Sequence, residues 1–117
     1  MIQDKTDIDR KIDALLERDS TTGGMSAAMI EGYRLWDNEL NRVYKALFAK
    51  LPAPQKGQLQ KEQRIWIVKR DAKFRLIDRK YATQGSMGQV DRRSERMEFV
   101  RQRAVELRRL LSLRTLN

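Results

Sequence analysis

The chain contains no cysteine and no histidine. The first absence excludes disulfides and thiolate metal sites, and the second removes the commonest general base and metal ligand. Aromatic residues make up only 7% of the 117 residues, with two prolines and six glycines among the rest. No apolar run approaches the roughly 18–20 residues of a membrane span. Ile65-Trp66-Ile67-Val68 is the only short stretch that suits a strand, and it lies inside a longer helix-period pattern. The opening residues Met1 to Asp7 lack the basic-then-apolar order of a signal peptide. A cytoplasmic protein and one whose export signal was removed before the numbering begins both remain open.

What is present is charge and regularly spaced apolar residues, 35% and 40% of the chain. The spacing argues against disorder, and the length predicts one domain over residues 1–117 with its core at about 7–113. The net charge of +9 is unevenly placed: −3 over residues 1–44, +8 over 45–80 and +4 over 81–117. Such a field attracts nucleic acid, anionic lipid or an acidic protein. A solvated surface on a basic protein is the plainer alternative.

Four helical segments follow from the periodicity. The first covers about Asp7 to Arg18, with Ile8, Ile12, Leu15 and Leu16 on one face and aspartates at its start, where the helix dipole favours them. The second runs from about Met25 to Leu51, carrying Met29, Tyr33, Trp36, Leu40, Val43, Tyr44 and Leu47 at three- and four-residue spacing. Pro52-Ala53-Pro54 interrupts the pattern, and Pro54 suits the first turn of a third helix ending near Tyr81. Ser86-Met87-Gly88-Gln89 has capping-box form and predicts the start of a fourth helix, with fraying from Arg114 to Asn117. The expectation is an all-α protein, an elongated antiparallel bundle of three long helices, up-down-up, plus a short N-terminal helix across one end or along a groove.

Chemistry has little to work with. Ser20, Ser26, Ser86, Ser94 and Ser112 have no histidine to activate them. Asp37 with Glu39 and Asp71 with Asp78 are poorly placed for acid/base work and read as surface ion pairs. Neither a phosphate-cradling loop nor a carboxylate metal cluster is present, so no catalytic, cofactor or metal residue is assigned and the chain reads as a non-enzyme. All but Arg70 of the fifteen basic residues from Lys61 to Arg109 support weak, salt-sensitive nucleic-acid binding without a recognition motif.

One constellation stands apart. Gln63, Trp66 and Arg70 share a helix face, within a stretch that also holds Arg64 and Asp71. On the preceding helix Trp36 and Leu40 face the core, with Asp37 and Asn41 on the adjoining side. The pattern predicts a lock between the second and third helices, with Trp66 packing and Arg64 or Arg70 bonded to Asp37. A polar patch facing a ligand is the alternative.

These same residues carry a family resemblance. Tyr33-x-x-Trp36-Asp37-x-x-Leu40-Asn41-x-x-Tyr44-x-x-Leu47, then Gln63-Arg64-x-Trp66 and Arg70-Asp71, then Gly85-Ser86-Met87, resemble the lysozyme-inhibitor LprI N-terminal domain over roughly Ile12 to Leu111. The resemblance implies a small, secreted or periplasmic helical protein that binds a protein partner, such as a lysozyme-type enzyme. It also implies cysteines that tie the helices together, one shortly after the Arg-Asp pair. This chain has Phe74 near that position and Met29 near the site on the second helix, so apolar packing is expected to replace the staple.

Charge qualifies the resemblance. A chain at +9 repels basic lysozymes. Only the acidic first segment (Asp4, Asp7, Asp9, Asp13, Glu17 and Asp19) offers them a complementary surface. The leading reading is a non-enzymatic interaction protein directed at a protein partner of the bacterial envelope, such as a muramidase. The alternatives are a cytoplasmic basic protein that binds an acidic protein or nucleic acid, and a structural bundle that associates through Leu107, Leu110, Leu111 and Leu113.

Overall fold

The computed structural model describes residues 5–115; Asp4, Leu116 and Asn117, used in the expectations above, lie outside them. Four helices account for nearly all of it: α1 (Asp7–Arg18), α2 (Thr22–Lys50), α3 (Ala53–Tyr81) and α4 (Gly85–Thr115). The assembly is elongated, 48 × 29 × 25 Å.

Local chemistry explains the boundaries. Thr6 caps α1 through a capping box, accepting from the Asp9 amide while the Asp9 carboxylate accepts from the Thr6 amide. Thr21 caps α2 by accepting from Gly24, so α2 begins three residues before the expected Met25. Gly24 fits there because the chain turns tightly: a Cβ on it would stand 2.4 Å from the Asp19 carbonyl oxygen. Lys56, in the first turn of α3, donates to the carbonyls of Phe48 and Leu51 at 2.7 and 2.6 Å and so closes the end of α2. The fourth helix departs from expectation at both ends. It starts at Gly85, whose φ of +68° makes the turn, so Ser86 lies in the first turn rather than at an N-cap. It also continues through Arg114 to Thr115.

The helices alternate in direction as the short connections require. Ser26 meets Arg93 and Glu39 meets Arg108, pairs 67 and 69 residues apart, so α2 and α4 lie parallel and nearly in register. Between α3 and α4 the separation falls from 40 residues at Gln63–Arg103 to 15 at Lys80–Glu95, which marks them antiparallel. The closest packing is between α2 and α4, while α2 and α3 barely touch. The short α1 lies along the α2/α4 groove. Its Ile12 crowds Gly32, where an added Cβ would come within 2.8 Å of Ile12 Cδ1 and 2.4 Å of Met97 Sδ.

The core follows the apolar stripes. Trp36, Val43, Val100, Ala104 and Leu107 are completely buried, joined by Ile12, Leu40, Leu47 and Leu59. Burying one large side chain stabilises by roughly 1.5–3 kcal/mol, an upper estimate because the unfolded chain already hides some surface. The proposed leucine seam is not a free surface: Leu107 is core, Leu110 and Leu111 pack against it, and only Leu113 of the four is exposed. Leu107 falls on the inner stripe with Val100 and Ala104, which is why it turns inward.

Candidate functional site

Both tryptophan motifs are organised by α4. Trp36 is wholly inside, with the guanidinium carbons of Arg101 and Arg108 at 5.4 and 5.3 Å from its ring. Each arginine is also tied to a carboxylate. Arg101 donates from Nε and Nη2 to the two oxygens of Asp9, both at 3.0 Å, a bidentate clamp from α4 to α1. Arg108 donates from Nε to Glu39 at 2.6 Å, and Arg42 holds the same carboxylate at 2.6 and 3.0 Å. The Trp36 indole N–H is buried without a hydrogen-bond partner among the described residues.

These contacts set the charge states. Burial pushes the Asp9 carboxyl up, but hydrogen bonds from Arg101 and the Thr6 amide outweigh it and hold the group below the usual aspartate range. Bonds from Arg42, opposed by burial and reinforced by Arg108, lower the Glu39 carboxyl. Arg101 is raised by its bond to Asp9. All are ionised near neutral pH, and none is poised to exchange a proton there.

The Trp66 motif likewise reaches α4. Its ring stacks on Phe99 at 5.7 Å, and Phe99 meets Phe74, which in turn meets Tyr33 of α2 at 6.1 Å. Phe74, near the position where the resemblance implies a cysteine, is therefore the middle of an aromatic chain linking α2, α3 and α4. Met29, on the second helix, is also core. Gln63 accepts from Arg103 Nε at 3.0 Å, again a bond to α4.

The expected bond from Asp37 to Arg64 or Arg70 is not formed among the described residues. Arg70 donates to neighbouring Asp71 at 3.0 and 2.9 Å and lies 5.7 Å from the Trp66 ring, while Arg64 and Asn41 are exposed. Asp37 is half-buried beside Tyr33, whose hydroxyl is raised by burial and then by the Asp37 charge. The physical reason is spacing: α2 and α3 scarcely meet, so each motif is fastened to α4 instead. Leu40 is buried as expected. Sequence reasoning missed Asp9, Glu39, Phe99, Arg101, Arg103 and Arg108 as partners.

Much of the acidic first segment is also consumed internally. Asp9 bonds Arg101, Asp13 bonds Lys5 at 2.5 Å, Asp7 bonds Arg10 at 3.0 Å, and Asp19 accepts from Thr21. By contrast the outer side of α3 is open. Ile65, Val68 and Leu76 are exposed, with Ala72 between the last two at helical spacing. Exposed Lys61, Lys69, Arg75 and Arg79 flank this stripe, and no ion pair joins them to another described residue.

The fold and these contacts define a helical protein with an exposed apolar stripe on α3, and among the described residues no three His, Cys, Asp or Glu side chains gather to hold a metal ion. No described helix is long and apolar enough to cross a membrane. The family model described as "Lysozyme inhibitor LprI" matches residues 15–107. The chain belongs to the lysozyme inhibitor LprI family, as a cysteine-free member. Comparison with curated proteins and with solved structures finds no match.

Proposed function

We propose that the protein is a non-enzymatic inhibitor of a muramidase-type enzyme of acidic surface, acting outside the cytoplasm at the bacterial envelope. Family membership supports an inhibitor, and the observation that carries the choice of partner is the outer face of α3. There an apolar stripe of Ile65, Val68 and Leu76, the last two 68% and 57% exposed, runs between four unpaired cations. Aligned apolar residues with a charged rim are the anatomy of a protein-binding surface rather than of a merely solvated helix. The positive rim selects a partner of opposite sign and speeds its approach. Basic lysozymes fit poorly, because the chain carries +9 overall and three of the four α1 carboxylates, Asp7, Asp9 and Asp13, already pair with cations of the protein.

Turbidity clearing of bacterial walls by an acidic and a basic muramidase, side by side, tests the reading. Inhibition of the acidic enzyme is expected, weakening as salt screens the rim. Val68→Glu with Leu76→Glu should remove inhibition without altering helix content, since both side chains are exposed. No effect of the unaltered protein on either enzyme would refute the muramidase reading. Saturable binding to nucleic acid at low salt, with no inhibition, would favour the nucleic-acid alternative.

A further inference from the structure

A cleft of about 290 Å³ opens between α2 and α4, lined by Met29, Ile30 and Tyr33 on one side and Arg92, Arg93 and Arg96 on the other. It is distinct from the outer face of α3 and requires no muramidase partner. Three guanidinium groups face a single nearby ion-pairing carboxylate, Asp78. Arg96 donates from Nη2 to both its oxygens at 2.5 and 2.6 Å, and Arg92 reaches one of them at 3.3 Å. Arg93 donates to the neutral Ser26 hydroxyl and has no carboxylate partner among the described residues. Within the cleft's ion pairs one carboxylate thus stands against three guanidinium groups, which leaves their positive charge only partly neutralised.

The cations are also held in place. Asp78 grips Arg92 and Arg96 from α3, and the Phe74 ring lies 4.9 Å from the Arg96 guanidinium. Arg92 is further fixed by Gln89 at 3.0 Å. Preorganised donors lose little freedom when an anion arrives, and each arginine has five N–H donors, most of them unclaimed here. Opposite them the wall is apolar: Met29 is buried, Ile30 is 52% exposed at the rim, and half-buried Tyr33 adds a hydroxyl. Burial and the Asp37 charge keep that hydroxyl protonated and able to donate.

We propose that this cleft binds a carboxylate carried beside an apolar group, the carboxylate meeting Arg93 and Arg96 and the apolar part covering Met29 and Ile30. The same chemistry is supplied by a small aliphatic acid or by a glutamate flanked by leucine in a polypeptide. The partly neutralised positive charge selects the anion, and the apolar wall distinguishes it from a bare inorganic ion.

The test is titration of the isotope-labelled full chain, followed by NMR, with hexanoate and with the capped tripeptide Leu-Glu-Leu. Hexanol and capped Leu-Gln-Leu serve as neutral counterparts. Saturable shifts confined to residues around Ile30, Tyr33 and Arg93 are expected for at least one acid, and at least tenfold weaker binding for its neutral form. Which acid saturates identifies the source. Arg93→Gln, which gives up one contact to Ser26, should weaken binding about tenfold. Ile30→Glu, at an exposed rim position, should do the same by placing a carboxylate in the mouth. Two results would each overturn the proposal: shifts that spread over all basic residues without saturating, or equal binding by the neutral probes. Unchanged affinity in both folded variants would overturn it equally.

Discussion

Replacing Arg101 with methionine isolates the clamp that ties the shortest helix to the longest. The change removes two bonds of 3.0 Å to Asp9, a longer one of 3.4 Å to half-buried Glu98 and the approach to the Trp36 ring, while keeping much of the aliphatic volume. The magnitude follows from exposure. Solvent-exposed ion pairs contribute about 0–1 kcal/mol, and breaking a fully buried pair costs about 3–5 kcal/mol. Here the side chains are 20% and 16% exposed, and Asp9 retains its bond from the Thr6 amide. An intermediate loss of about 2 kcal/mol is expected, with roughly 0.5–1 kcal/mol more from the cation–π contact. For a chain of this size that corresponds to a fall in Tm of roughly 8–12 °C. Urea unfolding of wild type, Arg101→Met, Asp9→Asn and the double variant closes a cycle with an expected coupling of about 1–2 kcal/mol. A coupling indistinguishable from zero, or a single-variant loss below about 0.5 kcal/mol, would show a solvated surface pair instead and refute the clamp.

The remaining predictions rest on neighbouring contacts. Trp66→Ala should cost about 2–3 kcal/mol by removing the stack on Phe99. Arg70→Met should cost no more than about 1 kcal/mol, because its ion pair is with adjacent, exposed Asp71; equal losses by thermal melting would contradict this division. Gly32→Ala should destabilise by about 1–3 kcal/mol, since its Cβ would meet Met97 and Ile12. Gly57→Ala, with open space around it, should stabilise α3 by up to about 1 kcal/mol. Acid lability follows from Asp9 and Glu39, whose carboxyls lie below their ordinary values of 3.8 and 4.5 in the folded state. Their contribution is fully present above those values and is lost as pH falls through the lowered ones. Tm should therefore begin to fall near pH 4.5, less steeply in Asp9→Asn.

The helices and much of the inner stripe were legible because a 3.6-residue period is written locally. Met29, Trp36, Leu40, Val43 and Leu47 turn inward as their spacing requires. The partners of the two tryptophan motifs were not. Arg101 and Arg108 stand seven apart on the shoulder of the Val100–Ala104–Leu107 stripe, a placement that signals partial burial. Their carboxylates lie 92 and 69 residues away, and nothing local in the sequence announces such pairings. The register of Ser86 was misread for another reason. Its capping-box spacing is compatible with a helix start, but a positive-φ glycine one residue earlier makes the turn first.

The placement of α4 also explains how the bundle closes without covalent bonds. A disulfide would join two helices at one point, whereas here α4 is tied to each of the others by a different interaction. Arg101 reaches α1 through Asp9, Arg108 reaches α2 through Glu39, and Phe99 reaches α3 through Trp66 and Phe74. Lys80 and Arg96 add bonds between α3 and α4 near the far end of the bundle. The positive charge therefore divides into two populations. Much of that on α4 is spent on internal carboxylates and rings, while Lys61, Lys69, Arg75 and Arg79 on α3 remain in solvent beside the apolar stripe. Screening by salt acts strongly on the second population and weakly on the first. Ionic strength should thus weaken partner binding well before it lowers Tm, and parallel titrations of both separate an interaction surface from a stabilising one.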